Sequence, residues 1–339
     1  MSEFRRNPLT GYGVILAENR GQRPQEMVFK PSIASDFQCP FCEGQEHRTP
    51  SETFAIRSAD SRTDGPGWRV RVVPNKFPAI SEAISESSGA AGSAQAAMEI
   101  AQSIGVQAVG VHEVVVESPN HVAHIGDLSN AQFADVLEAY RQRLGQLRSS
   151  GKYNYALIFK NYGIAGGATL SHLHSQLVAA NLPGDALDRR SQNFAAFYHE
   201  RGGCLLCNMI DQELAAGDQM IDHTDRFIAF CPWAARMPYE AWIVPREHGA
   251  NFDSTSPQSL TELAELFRGV LVKLERIVKV SACNYIIHTG PFDTNHASHY
   301  HWHIEILPRT ATLAGFELGT GCFINTVPPE KAAQELRKA

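Results

Sequence analysis

One ordered set of residues occurs twice in the chain. The first copy is Cys39-x-x-Cys42, then a β-rich run ending at His121, then a segment closing on His172-Leu-His174. The second is Cys204-x-x-Cys207, a run ending at His248, and a segment closing on His301-Trp-His303. The spacing from the single His to the His-x-His is 51 residues in the first copy and 53 in the second. A chain that repeats an order of elements in this way is built from one unit used twice. The Cys-to-His spacing differs, 79 residues from Cys42 to His121 against 41 from Cys207 to His248. The excess falls on SEAISESSGAAGSAQAAMEI, residues 81–100. Its Ser, Ala and Gly content reads as an inserted flexible loop followed by a short helix.

The strands and helices can be placed from periodicity. WRVRVVPN (68–75), HEVVVES (112–118), YALIFKN (155–161) and SQLVAAN (175–181) are β-rich runs bounded by turn residues. RFIAFCP, EAWIVP, CNYIIHTG and HWHIEILP read the same way in the second copy. NAQFADVLEAYRQRLGQLRSS (130–150) carries Phe133, Val136, Leu137, Tyr140, Leu144 and Leu147 at helical spacing, with Asn130 as the expected N-cap. SPQSLTELAELFRGVLVKLERIVKV (256–280) repeats that design. The expected class is α+β, in two tandem units that each pack a helix on an antiparallel sheet. The units are expected at 1–184 and 185–339, with the boundary in the polar stretch Asp185–Phe197 before Cys204.

Seven cysteines and 14 histidines ask for a chemical role. MSEFRRNPLTGYG has no apolar core like that of a secretory signal, so a cytoplasmic protein is the expectation. Reducing surroundings disfavour disulfides, which leaves metal or redox chemistry for paired cysteines. A lone Cys-x-x-Cys would suit a redox dithiol. Two copies, each followed by histidines, suit tetrahedral zinc, which takes two thiolates and two imidazoles. Cys231, Cys283 and Cys322 stand alone and read as buried apolar residues. The net charge is −6, from 30 Lys and Arg against 36 Asp and Glu, which argues against a general nucleic-acid or membrane-surface binder. It leaves room for a ligand with one or two phosphates.

The chemistry concentrates in GIAGGATLSHLHSQ. If the segment is extended, alternation puts His172, His174 and Gln176 on one face. Gly163, Gly166 and Gly167 ahead of them let backbone N–H groups approach a phosphate. A phosphate cradle beside an imidazole points to phosphoryl or nucleotidyl transfer with His as nucleophile.

With these residues the chain resembles the transferase branch of the histidine-triad superfamily. It is similar along nearly its whole length to galactose-1-phosphate uridylyltransferases, through RRNPLTGYGVILAENRGQRP, CPFCEG, VVPNKFPA, HEVVVESPNH, KNYGIAGGATLSHLHSQ and GFELGTGCFIN. SHLHSQ, the Cys204/Cys207 pair and GFELGTGCFINTVPPE look closer to plant-type relatives that act as ADP-glucose phosphorylases. The resemblance implies that His174 is the nucleophile that carries a nucleoside monophosphate. It implies that Gln176 hydrogen-bonds a phosphoryl oxygen. Cys39, Cys42, His121 and His172 would hold one structural zinc, and Cys204, Cys207, His248 and His301 a second. His288, His296 and His299 are alternative ligands there. Some relatives carry a His-rich metal site at this place without the Cys pair. His303 would be a degenerate copy of His174, with Glu305 where Gln176 stands. Asn161, Gly167 and Thr169 would contact phosphate or nucleotide, and Asn75 with Phe77 the base and ribose. Arg20 and Arg23 would face the diphosphate.

The implied activity is UDP-glucose:hexose-1-phosphate uridylyl transfer, ping-pong through a nucleotidyl-histidine. The alternative is an ADP-glucose phosphorylase, which transfers adenylyl to phosphate. A zinc-containing nucleotide-binding protein without catalysis ranks below both, and Gln176 argues against a hydrolase. In the late segment Gly315 remains, and Phe316 and Glu317 are the sugar-binding candidates. Ala311 and Phe316 stand where galactose enzymes have Lys and Tyr, which weakens galactose 1-phosphate as acceptor. The implied partners are a nucleotide sugar and a sugar 1-phosphate or phosphate, with no nucleic acid and no membrane. The implied assembly is a homodimer whose late segment reaches the neighbour's site.

Overall fold

A computed structural model describes residues 2–18, 39–82, 109–181, 184–278, 282–292 and 298–339. The inserted segment expected over 81–100 lies outside this set beyond residue 82. In chain order the strands are β1 (Glu3–Arg6), β2 (Gly13–Leu16), β3 (Phe54–Arg57), β4 (Trp68–Pro74), β5 (Gly110–Val116), β6 (Tyr155–Tyr162) and β7 (His174–Ala180). They continue with β8 (Met220–His223), β9 (Phe227–Phe230), β10 (Ala241–Pro245), β11 (Cys283–His288), β12 (His303–Pro308) and β13 (Phe323–Asn325). The helices are α1 (Asn130–Ser149), α2 (Asp185–Arg201), α3 (Leu205–Ala216), α4 (Pro257–Val278), α5 (Gly315–Thr320) and α6 (Pro329–Arg337).

Ten strands form one sheet in the order β3-β4-β5-β7-β6-β11-β12-β10-β9-β8. Read outward from the centre, each side repeats the same sequence of elements. β6 answers to β11, β7 to β12, β5 to β10, β4 to β9 and β3 to β8. The seam is the antiparallel pair β6 and β11, with Tyr162 opposite Cys283 and Leu157 opposite His288. The two repeats therefore share one antiparallel sheet rather than closing two separate ones. β1, β2 and β13 form a second, three-stranded sheet.

The α+β class follows from how the sheet is covered. One face carries α1 and α4, whose apolar stripes meet. Phe133 of α1 and Phe267 of α4 lie edge to face at 5.3 Å, and Phe267 meets Tyr285 of β11 at 5.0 Å. Phe133, Val136, Leu137, Tyr140 and Leu144, read as helical from their spacing, are all buried in this core, which takes residues from both repeats. The N-cap of α1 is Ser129, whose Oγ accepts from Gln132 N–H at 3.1 Å, and not Asn130 as expected. A Ser one residue earlier reaches the orphan N–H that Asn130, already helical, cannot.

The other face is treated differently in the two repeats, and this positions the site. Behind β9, β10 and β12 it is covered by α2 and α3, which pack Phe194, Leu205, Leu206 and Ile210 against Phe230, Trp242 and Tyr300. The polar stretch Asp185–Phe197, expected to be a boundary, is part of helix α2. Phe194 is its one buried apolar residue, so composition hid the helix. Over β4, β5 and β7 the described residues on the same face form a small cluster of Trp68, Val73, Val114 and Val116, with Phe41 packed on it. That face holds His174.

Candidate active site

β6 and β7 pair from Tyr155 opposite Ala180 to Phe159 opposite Gln176, and there the ladder ends. β6 runs on beside β11 to Tyr162 while β7 begins at His174, so the two strands part beside the His-x-His. Lys160 fills the gap left on the core side. Its fully buried ammonium donates to the His174 carbonyl at 3.1 Å and to Glu117 Oε2 at 2.6 Å. Tyr140 Oη donates to Glu117 Oε1 at 3.2 Å and lies 2.5 Å from Ser175 Oγ. Burial pushes Lys160 down, while the Glu117 charge opposes that shift.

Where the strands part, residues Gly163–Gly167 make a tight turn. Gly163 and Gly167 have φ of 70° and 87°, a region open to glycine. A Cβ on Gly166 would stand 2.8 Å from the backbone oxygen of Cys283 in β11. Asn161 sits beside this turn. Its Oδ1 accepts from Asn284 Nδ2 at 2.9 Å, which leaves its own NH₂ as a donor beside Gly167.

His174 Nδ1 donates to the His172 carbonyl at 2.8 Å. A neutral imidazole protonated at Nδ1 bears its lone pair on Nε2. Burial, with the Lys160 charge nearby, holds His174 below the ordinary histidine range. The ring is thus uncharged at neutral pH and aims a nucleophilic nitrogen. Phe41, between the two cysteines of the first pair, packs on the His174 ring at 5.2 Å between centroids. Gln176 lies two residues further on the same face. Its Oε1 is 2.8 Å from His112 Nε2. Asn75 Oδ1 accepts from Phe77 N–H at 2.9 Å, and the Phe77 ring is 84% exposed.

Cys39, Cys42, His121 and His172 converge, with all four ligand atoms within 4.8 Å of one another. Cys39 Sγ to His172 Nδ1 is 3.5 Å, and Cys42 Sγ to the Nδ1 atoms of His172 and His121 is 3.6 Å. A tetrahedral site with metal–sulfur bonds of about 2.3 Å and metal–nitrogen bonds of about 2.0 Å has S···N edges of about 3.5 Å. His172 Nε2 donates to the Ser118 carbonyl at 2.8 Å, which leaves the Nδ1 lone pair facing the two sulfurs. Two sulfurs and two imidazole lone pairs converging on one point are the donor set that a tetrahedral cation takes. Cys204, Cys207, His248 and His301 form the same cluster, with S···N distances of 3.5, 3.6 and 3.5 Å. Both clusters have the spacing and donor chemistry of a bound metal.

His288, His303 and Glu305 also bring three donors together. This group does not suit a cation. Arg190 holds Glu305 Oε1 at 2.9 Å, Arg236 holds Oε2 at 2.8 Å, and Arg190 Nη1 takes His303 Nε2 at 2.6 Å. Two guanidinium groups already supply the positive charge. His299 stacks near Tyr198, at 6.0 Å, and His296 lies outside the described residues.

The remaining predicted residues divide. Arg20 and Arg23 lie outside the described residues. Thr169 is exposed just ahead of the His-x-His. Phe316 and Glu317 are on α5 next to β13, where Glu317 Oε2 accepts from Ala314 N–H at 3.0 Å. No contact among the described residues ties them to His174. Sequence reasoning missed Phe41, His112, Asn284 and the Lys160–Glu117 pair. Only Phe41, inside the Cys-x-x-Cys, carried a local signal.

A family described as "Domain of unknown function (DUF4921)" matches residues 88–339. An ADP-glucose phosphorylase of Arabidopsis thaliana is 32% identical over 99% of this chain and 92% of its own length. The chain belongs to the DUF4921 family, and within the galactose-1-phosphate uridylyltransferase group it is a nucleotidyltransferase. A galactose-1-phosphate uridylyltransferase of Thermotoga maritima is 27% identical to this DUF4921 chain over all of it and 98% of its own length. The crystal structure of the Arabidopsis ADP-glucose phosphorylase with bound ADP-glucose superposes with a TM-score of 0.83 at 30% identity, covering 100% of this chain and 99% of that one. A structure of a uridylyltransferase at 24% identity shares the fold, with a TM-score of 0.74 over 100% of this chain and 98% of that one.

Proposed function

We propose that this DUF4921 member transfers a nucleotidyl group from a nucleotide sugar through a covalent adduct on His174. The observation that carries this is the parting of β6 and β7. It sets His174, the Asn161 amide and the Gly163–Gly167 turn at the same end of β6 and β7, and in this reading the slot between them takes the donor's phosphates. In the first step Nε2 attacks the α-phosphorus, the bond from that phosphorus to the bridging oxygen breaks, and glucose 1-phosphate leaves. In the second an oxygen of the acceptor attacks the same phosphorus and the P–N bond breaks. The Gln176 and Asn161 amides bind the non-bridging oxygens, where charge builds in the transition state, while the Gly166, Gly167 and Ala168 N–H groups are spent on carbonyls within the turn and serve to shape it. Gly167, Thr169, Asn75 and Phe77 complete the nucleotide side in this reading, with the exposed Phe77 ring as a stacking surface for the base. His303 has the same local geometry, but Arg190 covers its Nε2 and it takes no part.

For the donor and acceptor we favour ADP-glucose and inorganic phosphate. Support comes from the 32% identical relative of that name and from Ala311 and Phe316 in the late segment. UDP-glucose with a hexose 1-phosphate is the second reading, favoured by the full-length match to the Thermotoga enzyme. Both clusters are assigned zinc, held by Cys39, Cys42, His121 and His172 and by Cys204, Cys207, His248 and His301. Zinc there anchors chain segments and leaves phosphorus chemistry to His174. We assign the exposed Phe316 and Leu318 on α5 to a homodimer in which this helix completes the partner's sugar site. Intact mass spectrometry after mixing with each donor tests the scheme. A gain of one AMP on ADP-glucose, discharged by phosphate and absent from His174→Ala, is expected. An adduct that persists in His174→Ala overturns the nucleophile. A gain of UMP only, discharged by hexose 1-phosphate, overturns the donor assignment.

A further inference from the structure

His112 of β5 plays no part in the scheme so far, yet it touches two segments of the site, 75–79 and β7. Its Nδ1 accepts the Ala79 backbone N–H at 3.0 Å. A backbone N–H has a fixed direction, so Nδ1 holds a lone pair and the neutral ring carries its proton on Nε2. That proton points at Gln176 Oε1, 2.8 Å away. Asn75 Nδ2 lies 3.2 Å from the same Nε2, but Asn75 Oδ1 is taken by Phe77 N–H, so hydrogens face hydrogen and this contact is no bond. The direction of the Gln176 amide is thereby settled. Its oxygen is held by His112, and its NH₂ group is the end left for a ligand. A phosphoryl oxygen only accepts hydrogen bonds, so the opposite orientation would set oxygen against oxygen.

We propose that His112 is a positioning residue for nucleotidyl transfer, locking the Gln176 amide with its NH₂ toward the phosphoryl group. Through Ala79 it also ties that amide to the segment 75–79, which carries Asn75 and Phe77. A bound base against Phe77 and a correctly turned Gln176 then belong to one rigid unit. The proposal rests on the reading of His174 as nucleophile and Gln176 as phosphoryl contact.

Two substitutions separate positioning from plain packing. In His112→Asn the shorter amide reaches the depth of Nδ1, so it keeps the Ala79 contact and falls short of Gln176. In His112→Gln the amide nitrogen reaches the place of Nε2 and again donates to Gln176. The measurement is single-turnover formation of the adduct, followed by rapid quench and intact mass, with ADP-glucose and UDP-glucose in parallel. His112→Asn is expected to slow adduct formation about 10- to 100-fold at saturating donor, with donor affinity changed far less. His112→Gln is expected to recover most of that rate. In a Gln176→Ala background, His112→Asn is expected to add no further loss, because the residue it orients is gone. Equal rates for His112→Asn and the parent overturn the proposal. So does an equal loss in the Gln176→Ala background, or a His112→Gln variant no faster than His112→Asn. An adduct that survives His174→Ala overturns the underlying reading instead, and no adduct on the parent overturns both.

Discussion

His174 and His303 start from the same local geometry and end in different chemical states. Each donates Nδ1–H to the carbonyl two residues back, at 2.8 and 2.9 Å. At His303 the other nitrogen is met by Arg190, and the residue is fully buried under α2. His288 stacks on it at 4.8 Å, with Nε2 3.3 Å from Glu305. Burial, with the Arg190 charge adding to it, pushes His288 down to about 4. An unfolded histidine titrates near about 6.5. Between those values the unfolded chain takes up a proton that folded His288 refuses. Stability is therefore unaffected above that window and falls as the pH drops through it. At pH 5 this residue alone costs about 2 kcal/mol. Urea unfolding at pH 7.5 and pH 5 is expected to give a smaller difference for His288→Phe than for the parent by that amount. Equal differences would mean that His288 is not the source. At this scale alternation was enough to put His174 and Gln176 on one face of β7, while the roles given to them and to His172 came from the resemblance. His112, Asn284 and Arg190 could not be read, because each acts on a residue 64 to 123 positions away and nothing local marks it.

Elements decide whether the slot beside His174 exists. Helices α1 and α4 were legible because their apolar residues keep a 3.6 period over five or more turns. Eight strands were legible within a residue or two from their β-rich runs, but the short β1, β2, β3, β8 and β13, of three or four residues each, were not read. α2 was not, since its exposed face is polar and its buried face holds an arginine, Arg190, alongside Phe194. The turn after β6 was legible as glycine-rich but not in its reason. Gly166 is needed because it lies against the backbone of β11, in the other repeat. Backbone cannot rotate away as a side chain can. Gly166→Ala is therefore expected to push the turn off β11 and lose about 1–3 kcal/mol of stability. The Asn161 amide moves with it, so adduct formation should fall more than tenfold while the protein remains folded. Thermal melting and single-turnover rates measured together check this. A variant that melts early but charges His174 at the parent rate would separate the turn from the phosphate site.

Across the whole molecule, the two Cys₂His₂ clusters occupy equivalent places on either side of the β6–β11 seam, yet among the described residues a guanidinium meets the neighbouring His-x-His ring, that of His303, at the second cluster alone. The first cluster brings the loop at Cys39 and Cys42 together with His121, in the segment after β5, and with His172, directly before β7. Phe41 links that loop to the His174 ring. The second cluster fastens α3 to the segment before β12, where Arg190 has already filled the pocket. In the proposed scheme the repeat retains the anchor twice and the chemistry once. Elemental analysis is expected to find two zinc ions per chain and one in either Cys42→Ser or Cys207→Ser. Both variants should unfold at lower temperature, because binding free energy of a structural zinc is folding free energy. Only Cys42→Ser should slow adduct formation, by about 10- to 100-fold, since it frees the loop that carries Phe41 and the ligand two residues from His174. Equal loss of rate in the two variants would mean that the shared core transmits damage from either anchor to the slot. In that case the asymmetry between the repeats lies in access alone, and the first metal has no separate part in aligning the nucleophile.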